Sequence, residues 1–203
     1  FTGTGSNATV GHGLGSKPEW FLIKNRDASS DFTSYHQGIG ATNRIQISSN
    51  EAASASATRF NNTEPTDSVF TVSTSAAVNG SSADYVVYCF SEVDGYSKFG
   101  SYTGNGSADG PVIHTGFRPA WVMFKNTAGT FDWQMFDTAR ETINPINNDL
   151  HANQADAEGQ NNPTDFLSNG FKLRGTENNT NQNGSLYVYM AFAEAPFKYA
   201  NAR

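Results

Sequence analysis

Pro18-Glu19-Trp20-Phe21-Leu22-Ile23-Lys24-Asn25 returns 101 residues later as Pro119-Ala120-Trp121-Val122-Met123-Phe124-Lys125-Asn126. Four of the eight positions are identical. Each copy holds a continuous apolar run of strand length, as expected for a strand covered on both faces. The correspondence extends outward in both directions. Phe1-Thr2-Gly3-Thr4-Gly5-Ser6 matches Tyr102-Thr103-Gly104-Asn105-Gly106-Ser107 at the same offset. Phe32, Tyr35 and Phe70 fall on Trp133, Phe136 and Phe171. Asn61-Asn62-Thr63-Glu64-Pro65-Thr66-Asp67 resembles Asn161-Asn162-Pro163-Thr164-Asp165. Tyr85-Val86-Val87-Tyr88-Cys89-Phe90-Ser91-Glu92 matches Tyr187-Val188-Tyr189-Met190-Ala191-Phe192-Ala193-Glu194. A period near 100 residues is too long for a solenoid repeat and suits a small domain.

The rest of each copy also reads as strand and turn. Asn43–Ser48 and Ser68–Ser73 alternate polar and apolar residues, which predicts strands with one wet face. Phe32–His36, Phe131–Phe136 and Tyr96–Tyr102 are further strand candidates. Asn79-Gly80, Asp94-Gly95, Asn105-Gly106, Asn169-Gly170 and Asn183-Gly184 mark tight turns, because both residue types tolerate positive φ. Single helical turns are expected at Asn50–Ser54 and Asn153–Glu158. The predicted fold is all-β: two tandem duplicated antiparallel β-sandwiches of jelly-roll or lectin-like type, over 1–101 and 102–203. The alternative is one large concanavalin-A-like sandwich built from both copies.

Composition narrows the function. Charged residues make up 16% of the 203, against about 25% in ordinary soluble domains. Aromatics reach 13%, enough to fill a core, which excludes disorder. The net charge is −6, with six basic and nine acidic residues in 1–101 and seven and ten in 102–203. Neither half carries a basic patch, so nucleic acid is not an expected partner. No apolar run approaches the 18 or so residues of a membrane span, so no membrane insertion is expected. The single cysteine, Cys89, lies in an apolar strand and reads as a core hydrophobe.

Catalytic signatures are missing. Gly11-His12-Gly13-Leu14-Gly15-Ser16-Lys17 lacks phosphate-loop spacing and leads into a strand, so it reads as a loop. His12, His36, His114 and His151 show no zinc-ligand spacing. Asn147-Asn148-Asp149 and Asn153-Gln154-Ala155-Asp156 are oxygen-rich, the chemistry that calcium prefers, without EF-hand spacing. No nucleophile elbow occurs. Glu92 and Glu194 hold matching positions, which argues for structure. No catalytic, metal or cofactor residue is assigned, and the chain is expected not to be an enzyme. Trp133, flanked by Asp132 and Gln134, is the one candidate ligand residue, as a platform for stacking on a sugar.

The chain resembles a domain of unknown function that recurs in structural proteins of tailed bacteriophages, marine ones especially. The resemblance rests on Tyr102–Ser107, Gly13–Pro18, Phe60–Phe70, Tyr88–Gly100 and the closing Pro196–Arg203. It implies a lectin-like β-sandwich protein of the virion, made in the bacterial host cytoplasm. It further implies the distal part of a tail fibre or appendage that contacts a host surface glycan or receptor. The expected partners are two more copies in a homotrimer and other virion proteins. A capsid or tail decoration protein is the alternative, and a polysaccharide depolymerase the third reading. The ending resembles a natural C-terminus, which would put further domains upstream.

Overall fold

The computed structural model describes residues 1–197. The part of the closing motif from Lys198 onward lies outside the described residues. The chain is nearly all β and divides into two compact units, Phe1–Ser91 and Glu92–Arg203.

In the first unit the elements are β1 (Ala8–Gly11), β2 (Trp20–Asn25), β3 (Thr33–His36), β4 (Asn43–Gln46), β5 (Ser54–Ala55), the helical turn α1 (Ala57–Phe60), β6 (Val69–Val72), the turn α2 (Ala76–Asn79) and β7 (Tyr85–Phe90). They form an antiparallel sheet in the order β5-β4-β3-β2-β7 and a β1-β6 ribbon. Phe21, Ile23 and Tyr35 from the sheet pack with Phe70 and Val72 from the ribbon, and with Phe60 and Val78 from the helical turns. Phe21 stacks on Tyr35 at 4.9 Å and meets Phe60 edge-on at 5.4 Å, the offset and T-shaped geometries that aromatic quadrupoles favour.

The second unit contains β8 (Ser97–Thr103), β9 (Val112–His114), β10 (Pro119–Asn126), β11 (Gln134–Asp137), β12 (Leu150–His151), β13 (Thr164–Leu167), β14 (Gly170–Leu173), the turn α3 (Asn178–Asn181) and β15 (Leu186–Ala193). Its sheets run β12-β11-β10-β15-β8 and β13-β14-β9. Phe124, Phe136, Tyr187 and Tyr189 from one sheet face Phe166, Phe171 and Leu173 from the other. Each unit thus has a separate aromatic core between its own sheets, in sandwich fashion. The compact units meet at Ser91/Glu92 rather than at the expected 101/102. The reason is β8, which pairs along its whole length with β15 and so belongs to the second unit.

The two recurrent motifs have a common structural role. In the first unit the Asn25 amide donates to Tyr85 Oη at 3.1 Å, and Tyr85 Oη donates to the Ala76 carbonyl at 2.5 Å and accepts from Gly80 N–H at 2.7 Å. In the second unit the Asn126 amide donates to Tyr187 Oη at 3.1 Å; that hydroxyl donates to the Asn178 carbonyl and accepts from Gln182 N–H, both at 2.7 Å. Tyrosine at the start of the strand that follows, β7 or β15, thereby satisfies the orphan groups of a short helical turn, which four residues of helix cannot satisfy by themselves.

The Thr-Gly-x-Gly-Ser turns are held by a buried asparagine. Asn79 Oδ1 accepts from Thr4 N–H at 2.8 Å, and its Nδ2 donates to the Ser6 carbonyl at 2.6 Å. Asn181 Oδ1 accepts from Asn105 N–H and its Nδ2 donates to the Ser107 carbonyl, both at 2.8 Å. Gly5 and Gly106 adopt positive φ. Gly3 and Gly104 are needed for space: a Cβ would stand 2.2 Å from the Gly80 carbonyl oxygen and 2.3 Å from that of Gln182.

The helical turns expected at Asn50–Ser54 and Asn153–Glu158 do not form. Ser54 pairs instead with Arg44 in β5, and Glu51 is drawn to the Arg44 guanidinium at 3.3 Å. The Asn153 side chain accepts from Trp133 N–H at 2.9 Å and donates to Asp132 at 2.7 Å, which ties 153–158 to the sheet edge. Gly80 and Gly170 likewise do not adopt positive φ: Gly80 follows α2 at φ −59°, and Gly170 opens β14 in extended pairing. Cys89 is half-buried against the first core, and burial pushes its thiol up to about 11.

Lys125, next to last in β10 after the apolar run Trp121–Phe124, is fully buried. Its ammonium donates to the Asn126 and Gly129 carbonyls at 2.6 and 3.1 Å. Burial lowers its pKa to about 8, against the weaker upward pull of Asp132. An unfolded lysine titrates near 10.4. Between these values the unfolded chain holds the proton and the folded chain does not, so stability rises with pH across that window. Wild type is expected to gain roughly 2 kcal/mol relative to Lys125→Met between pH 7.5 and 10, after allowance for solvent screening. Urea unfolding of both proteins at several pH values measures it; parallel profiles would contradict the assignment.

Candidate functional site

The edge of the second unit's main sheet carries a long excursion between Ile146 and Thr164. Its ends are clamped by a reciprocal pair of main-chain bonds, Ile146 to Thr164, both 2.8 Å. Three to five residues further in, Asp149 and Gly159 make a second antiparallel bridge. The Glu141 carboxylate accepts from the N–H groups of Asn147 and Asn148 at 2.6 and 2.8 Å, fixing the first bend. Arg140 ties the returning limb to the sheet through Glu158 and Asp137, each at 2.6 Å. Burial alone would raise the Asp137 carboxyl; the Arg140 bonds overcome it and hold the group below the usual carboxylate range.

This excursion and α3 line an open pocket of about 250 Å³ walled by polar residues. Asp149 and Asn162 are buried at its base, 3% exposed each, and His151 and Gly159 form its wall. Asn161, Glu177, Asn178 and Asn179 line the rim. Asn162 Nδ2 donates to Asp149 Oδ2 at 2.5 Å and lies 3.3 Å from Gln134 Oε1. That leaves Asp149 Oδ1 and Asn162 Oδ1 buried without a hydrogen-bond donor. Gly159 is required beside them, because a Cβ there would sit 2.2 Å from Asp149 Oδ1. His151 Nδ1 lies 3.5 Å from Asp156 Oδ2, without a hydrogen bond.

Two buried acceptors without donors cost free energy, about 1–3 kcal/mol each when left unmet. Both oxygens are closed off from solvent, so a ligand hydroxyl or amine meets them only when the base rearranges; the groups it meets first are the carboxamides of the rim. The volume lies just below the roughly 300–1,000 Å³ of sites for drug-sized molecules and matches something the size of one sugar ring. Among the described residues, no group of three or more His, Cys, Asp or Glu side chains is arranged to hold a metal ion. The oxygen-rich Asn153–Asp156 loop is not part of the pocket, since the Asn153 amide is spent on Trp133 and Asp132.

The sequence candidate fares differently. Trp133 is 2% exposed, so neither ring face is open to a sugar in solvent. Its polar neighbour Gln134 is completely buried as well, so flanking polarity did not signal exposure here. The sequence singles out parts of the pocket, Asp149 in the oxygen-rich Asn147-Asn148-Asp149 stretch, His151, and the Asn161-Asn162 motif also present as Asn61-Asn62, but not that they meet, because the lining comes from three stretches, 149–151, 159–162 and 177–179. Asn61 contributes to a shallower groove in the first unit with Asn7, Thr9, Thr63 and Thr71. There the Asn7 amide donates to Asn61 Oδ1 at 3.1 Å. The other recurrent polar positions are structural: Glu92 pairs with Lys98 at 2.7 Å and Glu194 with Arg118 at 3.0 Å. His12 Nε2 contacts the Thr66 carbonyl at 3.2 Å, and His114 Nδ1 contacts the Asn169 amide at 3.4 Å.

No curated protein matches the chain, and no solved structure does. A family comparison does: residues 1–196 match the domain of unknown function DUF7483, across both units and the pocket, and the chain belongs to that family.

Proposed function

We propose that the chain is a non-enzymatic virion module, the distal part of a tail fibre or comparable appendage, whose second unit binds a sugar residue of a host surface polysaccharide. The observation that supports this reading is the carboxamide rim of the pocket, Asn161, Asn178 and Asn179, above two buried acceptors without donors, Asp149 Oδ1 and Asn162 Oδ1. Rim amides of Asn161, Asn178 and Asn179 both donate to and accept from sugar hydroxyls, and a hydroxyl that opens the base would supply the donor it lacks. A single shallow site of this kind binds weakly. Three copies in a homotrimer would raise the overall avidity by roughly 10²–10⁴-fold when the sites are engaged together.

The test is titration with host polysaccharide fragments, followed by NMR shifts of the pocket amides. Asp149→Asn keeps the side-chain shape and Asn162→Ala removes one acceptor. Each is expected to weaken binding tenfold or more, with unfolding midpoints recorded to separate misfolding from lost recognition. Fragments that bind equally well to both variants, or bind neither them nor the wild type, would refute the pocket assignment. Surface labelling of intact particles with antibody against the chain tests the virion placement independently.

A further inference from the structure

β7 is the edge strand of its sheet, whereas its sequence counterpart β15 lies inside one, between β10 and β8. The consequence shows in burial. Tyr189 and Ala191 of β15 are buried, 4% and 0% exposed, while the aligned Val87 and Cys89 of β7 are only partly covered. Tyr88 is 51% exposed.

Main-chain geometry says which groups are left over. The Asp84 carbonyl accepts from Arg26 N–H and the Phe90 carbonyl from Glu19 N–H, so even-numbered residues of β7 bond toward β2. Tyr85 points the other way and exchanges both of its bonds with Phe1, at 2.8 and 3.0 Å. By the alternation of an antiparallel ladder, Val87 and Cys89 also present N–H and C=O groups to that outer edge. No strand among the described residues covers it.

The second unit shows what fits such an edge. Tyr102 pairs with Tyr187 and stacks on it at 4.8 Å, and β8 then runs on along β15, with Gly100 opposite Tyr189 and Lys98 opposite Ala191. In the first unit Phe1 pairs with Tyr85 and stacks on it at 5.2 Å. Thr2 bridges Asp84 just as Thr103 pairs with Leu186. The same register has therefore begun at β7.

We propose that the outer edge of β7 is a strand-accepting site. Its occupant is an extended peptide with the chemistry of Ser97–Ser101, lying antiparallel to β7 and continuing the register that Phe1 and Thr2 begin. A small residue would face Val87 and a long polar one Cys89. Main-chain bonds supply the affinity in strand addition of this kind, and an exposed edge offers them ready-made.

The test grafts Tyr-Ser-Lys-Phe-Gly-Ser, a copy of residues 96–101, directly onto Phe1 of the full chain. A control graft carries proline at the two positions copied from Lys98 and Gly100, which removes the N–H donors. Amide exchange by NMR and the rate of Cys89 labelling by a thiol reagent are the readouts. The first graft is expected to slow exchange of the Val87 and Cys89 amides at least tenfold and to slow thiol labelling, and the control to do neither. Equal behaviour of the two grafts would overturn the proposal. So would protection of Val87 and Cys89 in the ungrafted chain, and protection that grows with protein concentration would assign the edge to a second copy instead.

Discussion

Replacing Asn181 with alanine is expected to destabilise the second unit by about 3–5 kcal/mol, enough to unfold it under mild denaturant. The side chain is fully buried. Its Oδ1 accepts from Asn105 N–H, and its Nδ2 lies within 3.0 Å of Asn105 Oδ1, the Ser107 carbonyl and the Gly175 carbonyl. Truncation removes every one of these at once and leaves the partners without protein groups to replace it. Asn181→Asp tests the mechanism more sharply. It keeps the acceptor for Asn105 N–H but aims a carboxylate at three oxygens, so it should cost at least as much as alanine. Asn79→Ala should act in the same direction on the first unit. Trp121 and Trp133 report the second unit and Trp20 the first, so fluorescence of single-tryptophan variants in urea resolves the two. A loss under about 1 kcal/mol for Asn181→Ala would show that water substitutes for the amide and that the turn does not depend on it.

Alkaline pH is expected to unfold the second unit cooperatively above about pH 11. Burial raises the phenols of Tyr187 and Tyr189 to about 12 and raises Tyr102 well above its ordinary value. Unfolded tyrosine ionises near 10. Above that pH the unfolded chain has released protons that the folded unit still holds, so stability falls as pH rises. Each such group contributes a slope of up to about 1.4 kcal/mol per pH unit, an upper limit that solvent screening reduces. Three of them acting together rival the whole stability of a small domain, about 5–15 kcal/mol. The rise due to Lys125 begins near pH 8 and is overtaken as unfolded tyrosine starts to ionise, so the profile should peak at about pH 9.5. In the first unit Tyr35 is raised too, first by burial and then by its 2.6 Å hydrogen bond to Glu64. Tyrosinate absorbance at rising pH should therefore show a delayed, steep step that coincides with loss of near-UV circular dichroism. A smooth titration centred near pH 10 in the folded protein would contradict the buried positions of these rings.

Much of the fold was legible because strand burial has a local signature. Trp20–Lys24 and Trp121–Lys125 are continuous apolar runs and became strands covered on both faces, whereas Val69–Val72 alternates and has one wet face. The turn glycines were legible for the same reason, since positive φ at Gly95, Gly106 and Gly184 is a property of the residue itself. The helical turns were misplaced because a single turn has almost no intrinsic stability; it forms where neighbours satisfy its ends. Ala76–Asn79 and Asn178–Asn181 have such neighbours in Tyr85 and Tyr187, while Asn153–Glu158 has its asparagine committed elsewhere.

The sequence by itself determined that this is an all-β chain, which segments are strands, and where tight turns must fall, because these follow from periodicity, side-chain volume and backbone freedom over a few residues. Only the tertiary structure decided which polar side chains are buried, that Asp149 and Asn162 share a pocket base, that Trp133 is enclosed, and that β15 has a neighbour where β7 has an edge. Those outcomes depend on long-range strand pairing, which brings together residues whose spacing along the chain carries no record of their distance in space.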